Sequence, residues 1–406
     1  MKPNRTRLFL AYLAFMMLGL TSGLLAVAWP SMRAEFGLSL SAMGQLLLFV
    51  TTGNILANVF NVRLINRFGI GVLLSYASLV SALAIVGYSL APSWLAMLGV
   101  GALAGFSGGV MSAGLNTFLA AEYRESEMQW MHAAFSLGAT LSLLLMTASL
   151  ALSGSWRPGY WVVGLCMALI AAALWLTRRS WRAPGKPAGD PTGAPGSPGL
   201  MDYRTTLRES LLQRQIWAAI LLFLLYTGAE FTFSNWTYTL LIEGRGISPA
   251  IAGVWAAGFW ATFTCGRVLG ALYAHRIRLD ALLTGAMLLA LAGALLVWVN
   301  SLPVVGVIGV FLVGFALSPI FPGLVSSTRQ RVGERHAANA IGIQMAAANL
   351  GIILLPALAG VLAQRISLEI IPVMLAVSLV GLLVVYRFST RLQPAEYPAA
   401  PALQDI

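Results

Sequence analysis

Twelve apolar stretches, each about 20 residues and so long enough to cross a bilayer as an α-helix, can be drawn along this chain. They run over residues 8–29, 43–62, 69–90, 94–120, 128–152, 159–177, 216–241, 251–274, 281–299, 302–325, 337–363 and 370–388. With 58% hydrophobic and only 10% charged residues in 406, and a mean hydropathy of +0.81, most of the surface must face lipid, because a soluble chain of this length carries about a quarter charged residues. The expected fold is therefore an all-α membrane protein with twelve transmembrane helices. Lys2, Arg5 and Arg7 before the first apolar run, which ends in Ala26-Val27-Ala28, also match a cleaved signal peptide. The run exceeds a typical signal core and eleven more spans follow, so it is read as a helix.

Charge gives orientation. All but Lys2 and Lys186 of the 25 cations are arginines, and they gather in the loops on one side of the spans, leaving Arg33, Arg157, Arg245 and Arg365 for the other. This asymmetry places both termini in the cytoplasm, in a bacterial inner membrane. The net charge of +11 is thereby accounted for without nucleic acid. Residues 178–214, rich in proline and glycine, read as a cytoplasmic linker between an N-terminal bundle, 1–177, and a C-terminal bundle, 215–390. Residues 391–406 read as a disordered tail. The two sets of six spans echo one another, and two pseudo-symmetric six-helix bundles are a transporter signature.

The chemistry an enzyme needs is scarce. No glycine-rich phosphate loop ends in a lysine followed by serine or threonine, since Lys186 precedes a proline. His132, His275 and His336 lie in separate segments and the two cysteines, Cys166 and Cys265, lie inside apolar runs, so no metal centre, disulfide framework or cofactor is expected. Of fourteen acids, Glu230 alone sits deep in a span. An ionised carboxylate there costs several kcal/mol unless it faces a cavity or takes a proton, which makes it a functional candidate. A protonated glutamate bonding two helices is the structural alternative. Helical spacing sets Thr227, Ser234 and Thr237 beside Glu230. Asn235 and Trp236 point away unless the helix is unwound there. Asn54, Asn58 and Asn61 form a stripe in the second span, and Asn116, Gln344 and Asn349 add amides from the fourth and eleventh. Amides and an aromatic suit a hydroxyl-rich neutral solute, although membrane helices also use amides to bind one another. Arg267, about two turns inside the eighth span, is too far along its axis for a direct ion pair with Glu230 and is expected to snorkel or brace a gate. Gly101, Gly105 and Gly109 give the small-xxx-small spacing of close helix packing.

The twelve spans in two halves resemble the major facilitator superfamily across essentially the whole chain. Three segments are similar to its fucose permease-like sugar transporters: Ala113-Gly114-Leu115-Asn116-Thr117-Phe118, Tyr226-Thr227-Gly228-Ala229-Glu230 and Gly266-Arg267-Val268-Leu269-Gly270. The superfamily's loop motif after the second span is partly kept in Arg63, Arg67 and Gly69, with Asn66 where an aspartate is usual and His275 at the comparable place of the second copy. The resemblance implies a gating or structural role for Arg63 and Arg67 and alternating-access symport of a sugar or similar small polar solute with a proton. Those relatives carry an aspartate in the first helix and a glutamate in the fourth, where this chain has Thr21-Ser22-Gly23 and Ser112. Glu230 then inherits the coupling role, with uncoupled facilitation or another ion as the reading if it does not. The expected partners are a small-molecule substrate, protons and the bilayer, and the chain is expected to act as a monomer. Efflux of a drug-like or amphipathic compound is the alternative within transport, and a channel or membrane structural partner the alternative outside it.

Overall fold

The computed structural model describes residues 5–123, 125–181, 205–273, 277–299 and 302–392. Its regular elements are helical: α1 (Arg5–Phe36), α2 (Ala42–Phe68), α3 (Ile70–Leu90), α4 (Trp94–Glu122), α5 (Glu125–Ser153), α6 (Arg157–Thr177), a short α7 (Leu207–Leu211), α8 (Arg214–Thr239), α9 (Pro249–Tyr273), α10 (Leu279–Val299), α11 (Pro303–Leu317), α12 (Ile320–Ser326), α13 (Thr328–Val332), α14 (Glu334–Arg365) and α15 (Ile370–Ser389). Eleven membrane-crossing segments are long and apolar enough by composition, α11 and α12 counting together. The twelfth, α9, has the length at 25 residues and carries Thr262, Thr264 and Arg267 within its apolar run.

Packing repeats between the halves. In the first, α1 lies on α5, α2 on α4, and α3 on both α4 and α6; in the second, α8 lies on α14, α9 on α11, and α10 on both α11 and α15. The glycine spacing in α4 has the packing role expected of it. A Cβ on Gly105 would overlap the Val50 carbonyl oxygen of α2, and one on Gly101 would come within 2.7 Å of the Leu46 side chain. Gly105→Ala is therefore expected to cost about 1–3 kcal/mol through overpacking against backbone, read as a lowered midpoint of thermal unfolding in detergent. Gly99→Ala, whose Cβ meets nothing within 4 Å, should leave that midpoint nearly unchanged.

The halves pack on each other through α5 with α9, α2 with α14, and α1 with α8. Many of their close approaches lie away from the face where α1 begins and α15 ends, here called the near face. At the far face Gly44 is pressed on Ala357, Gly253 on Thr147, and Gly360 sits between the Trp236 ring and the Leu40 carbonyl. There Arg33 Nη2 donates to both Glu243 oxygens at 2.9 and 2.7 Å. This ion pair joins α1 to the turn after α8.

Three expectations change. The tenth span is not one helix: Pro319 and Pro322 supply no backbone N–H, and the chain breaks between Leu317 and Ile320. The seventh span, by contrast, is unbroken at Asn235 and Trp236, and widens into a π-helical turn only at Leu240–Gly244. The linker is also more ordered at its ends than proline and glycine content suggests. Arg178–Trp181 continues α6 as a 3₁₀ turn, with Trp181 buried and its ring 4.8 Å from that of Phe118. At the other end, the Thr206 hydroxyl caps α7 by accepting from the Glu209 N–H. Asn339 of α14 donates to the Thr205 carbonyl at 3.0 Å and to Ser210 Oγ at 2.9 Å, while Ser210 Oγ lies 3.0 Å from His336 Nδ1. The remaining linker residues 182–204, the tail 393–406 and His275 lie outside the described residues.

Candidate functional site

Glu230 lies sixteen residues from the start of α8, about 24 Å along its axis at 1.5 Å per residue, and is only 6% exposed. It is not ion-paired with any described cation. One turn earlier on the same helix, Tyr226 lies on the face that carries Glu230. The Tyr226 hydroxyl donates to the Leu317 carbonyl at 3.0 Å, the last residue of α11 before the break. From the other side, α9 closes on the same break. Gly266 has no side chain, and a Cβ there would overlap Ser318 Oγ and come within 2.7 Å of the Phe315 carbonyl oxygen.

Arg267, next in sequence, forms no ion pair with Glu230 among the described residues, and its guanidinium is engaged elsewhere. Nη1 donates to Ser136 Oγ at 3.2 Å and to the His132 carbonyl at 3.4 Å, both on α5, and the guanidinium carbon lies 4.5 Å from the centre of the Phe263 ring. Arg267 thus ties α9 of one half to α5 of the other, as bracing requires. The His132 ring meets Phe15 of α1 edge-on at 5.2 Å. Ser136 was not named in the sequence, His132 only in weighing a metal centre, and Tyr226 only within the segment that carries the resemblance. The spacing was available, since Tyr226 precedes Glu230 by four and His132 precedes Ser136 by four.

The polar stripe beside Glu230 serves partly as helix contact. Thr227 donates to the Phe223 and Ala348 carbonyls, each at 2.8 Å, and Ser234 Oγ accepts from the Trp260 indole at 2.9 Å. Trp236 is fully buried and donates to the Pro356 carbonyl at 3.0 Å, so it is held against α14. Because α8 is continuous there, Trp236 and Asn235 do not join Glu230. Asn235 Nδ2 is buried without a partner, as are the Thr232 and Thr239 hydroxyls, which occupy the same side of α8 by helical spacing. Trp236→Phe should leave the Pro356 carbonyl unpaired and lower stability by about 1–3 kcal/mol, measured by thermal unfolding.

The other amides are spread. Asn58 is exposed and donates to the carbonyl and side chain of Asn54 at 3.0 and 2.9 Å. Asn116 and Asn349 turn back on the Ser112 and Met345 carbonyls of their own helices. Gln344 is buried and accepts from Thr328 at 3.1 Å, lining a small pocket with Gln215, Phe223, Arg331 and Ser389 inside the second half. Among the described residues, none of these amides hydrogen-bonds to Glu230. Arg63 and Arg67 are exposed at the near end of α2, over the rings of Phe60 and Phe68 at 6.0 and 5.4 Å. Among the described residues no group of three His, Cys, Asp or Glu is placed to hold a metal ion.

Two halves with the same packing order, built of membrane-crossing helices, are the arrangement of a membrane transporter. The chain belongs to the Major Facilitator Superfamily, whose model matches residues 11–279 and 240–404. A curated relative, Bypass of stop codon protein 6 of Saccharomyces cerevisiae, is 27% identical over 180 residues, 41% of this chain and 35% of the relative. The chain thus matches about a third of that relative's length. Among solved structures, a bacterial homolog of the human lysosomal transporter Spinster, in an inward-facing and occupied conformation, aligns with a TM-score of 0.75 at 15% identity, covering 96% of this chain and 98% of that one. A mutant of the nucleoside transporter NupG aligns at 0.74 and 14%, covering 95% and 100%. FucP in its outward conformation aligns at 0.61 and 16%, covering 95% and 99%. At these identities the likeness establishes the fold.

Proposed function

We propose that this protein is a proton-coupled secondary transporter of a sugar or similar small polar solute, in which two six-helix bundles, within residues 1–177 and 215–390, rock about a site between them and Glu230 carries the proton. The observation that carries the reading is Glu230 itself, a 6% exposed acid far from both ends of α8, with Tyr226 one turn away on the same face. A carboxyl so placed suits a group that gains and loses a proton as access alternates. The arginine asymmetry puts the near face, and both termini, in the cytoplasm of a bacterial inner membrane. With the far face held by Arg33 and Glu243, the described state is then inward-facing. Asn54, Asn58, Asn116 and Asn349, whose side-chain nitrogens or oxygens turn to their own helices while the amide oxygens of Asn58, Asn116 and Asn349 are left to accept, are the groups assigned to the solute. Thr227, Ser234, Asn235, Trp236 and Gln344 shape the wall behind them, and the transporter works as a monomer.

The test is a thermal-shift screen over sugars, polyols, amino acids and dyes, since a ligand far above its dissociation constant stabilises the fold by a few kcal/mol. Counterflow of the best hit in proteoliposomes follows. Saturable exchange is expected; flux that neither saturates nor exchanges would mean a channel, and stabilisation by dyes alone would favour efflux of amphipathic compounds.

A further inference from the structure

We infer that Tyr226 and Arg267 are positioning residues that pass the charge on Glu230 to the contact between the two halves, Tyr226 through the carbonyl at the α11–α12 break and Arg267 through Ser136 and His132 of α5. The inference rests on Glu230 being the proton site and adds how that site reaches the rest of the molecule.

The Tyr226 hydroxyl has one proton and two acceptors to choose between, the Leu317 carbonyl, which it meets at 3.0 Å, and the Glu230 carboxyl one turn along the same face of α8. A carboxylate is the stronger acceptor, because hydrogen bonds to an ionised group are about twice as strong as neutral ones. Ionised Glu230 therefore takes the phenol proton into its own hydrogen bond and leaves Leu317 without its donor. That carbonyl belongs to the last turn of a helix, where intrahelical donors run out. Protonated Glu230 reverses the order: its O–H donates to the phenol oxygen, and the phenol donates to Leu317. The observed bond to Leu317 is the arrangement of the protonated acid.

Arg267 responds to the same charge. With Glu230 neutral, its guanidinium stays on Ser136 and the His132 carbonyl across the bundle interface. A carboxylate at Glu230 draws it back within its own half and loosens α9 from α5. Gly266 makes the two effects one movement, because α9 touches the broken helix there with no side chain between them. The titratable groups facing Glu230 and Arg267 are Tyr226 on α8, Arg267 on α9 and His132 on α5. At this level α1, α11, α14 and α15 present no acid, histidine or cation among the described residues.

The test needs no transported solute. In a background with Cys166→Ala and Cys265→Ala, spin labels are placed at Ser39→Cys and Ser248→Cys, exposed far-face positions on the two halves. The distance between them is recorded in nanodiscs from acid to alkaline pH. The unaltered protein should exchange two distance populations with a single midpoint, and Glu230→Gln should hold the acid-side population throughout. Tyr226→Phe and Arg267→Gln should each move the midpoint to higher pH by about one unit or more, equivalent to about 1.4 kcal/mol. Arg267→Lys, which keeps the charge, should return it toward the original value. If Glu230→Gln still titrates, or the unaltered protein does not, the proton site is misassigned and the inference falls with it. If Glu230→Gln, free of solute, no longer titrates but Tyr226→Phe and Arg267→Gln keep the original midpoint, Glu230 remains the proton site and the positioning roles are wrong.

Discussion

Glu230→Gln is expected to abolish accumulation of solute driven by a proton gradient while leaving exchange at equal concentrations intact. Glutamine has the shape of the protonated acid and donates as it does, so the carrier form that binds solute with its proton persists. What it lacks is a proton to release. For one proton per solute, an imposed gradient of one pH unit is worth about 1.4 kcal/mol and sustains up to about a tenfold concentration ratio. The variant should show none, at unchanged counterflow. Accumulation by Glu230→Gln at the original ratio would make Glu230 a structural hydrogen-bond donor between helices and return coupling to another group or ion.

The second large effect is expected at the far face. Arg33 and Glu243 form a two-pronged ion pair whose side chains are 26% and 27% exposed, between the surface case, worth about 0–1 kcal/mol, and the fully buried one. Arg33→Glu replaces attraction with repulsion and should cost the closed far face about 1–2 kcal/mol, a factor of about 5–30 in the balance of states. Labels at Ser39→Cys and Ser248→Cys should then report a larger population at long distance, and adding Glu243→Arg should restore the short one. No change with Arg33→Glu would mean that the packing of α2 on α14, as at Gly44 and Ala357, holds this face alone.

Spans and helix packing were legible because lipid imposes length and apolarity segment by segment, and because the glycines of α4 repeat at the interval that faces a neighbour. Glu230 stood out for the same reason, as an acid where hydrocarbon penalises charge. Features that depend on two elements were less legible. Pro319 and Pro322 could have marked the break in the tenth span, and Thr206 with Glu209 marks a helix start, but their weight comes from what docks there: Tyr226 on Leu317, Ser210 beside His336. The Arg33–Glu243 pair joins residues 210 apart, which no local periodicity encodes. Trp236 shows the opposite limit. Its polar handle suggested solute, whereas α14 offers the Pro356 carbonyl instead.

The most direct measurement of the central claim is proton movement caused by the solute itself. Lightly buffered proteoliposomes are given the solute selected by thermal shift, with no imposed pH gradient, and the external pH is followed. The account predicts that the medium turns alkaline as solute and protons enter together, and that Glu230→Gln gives solute entry with no pH change. Solute entry through the unaltered protein with the external pH constant would contradict it.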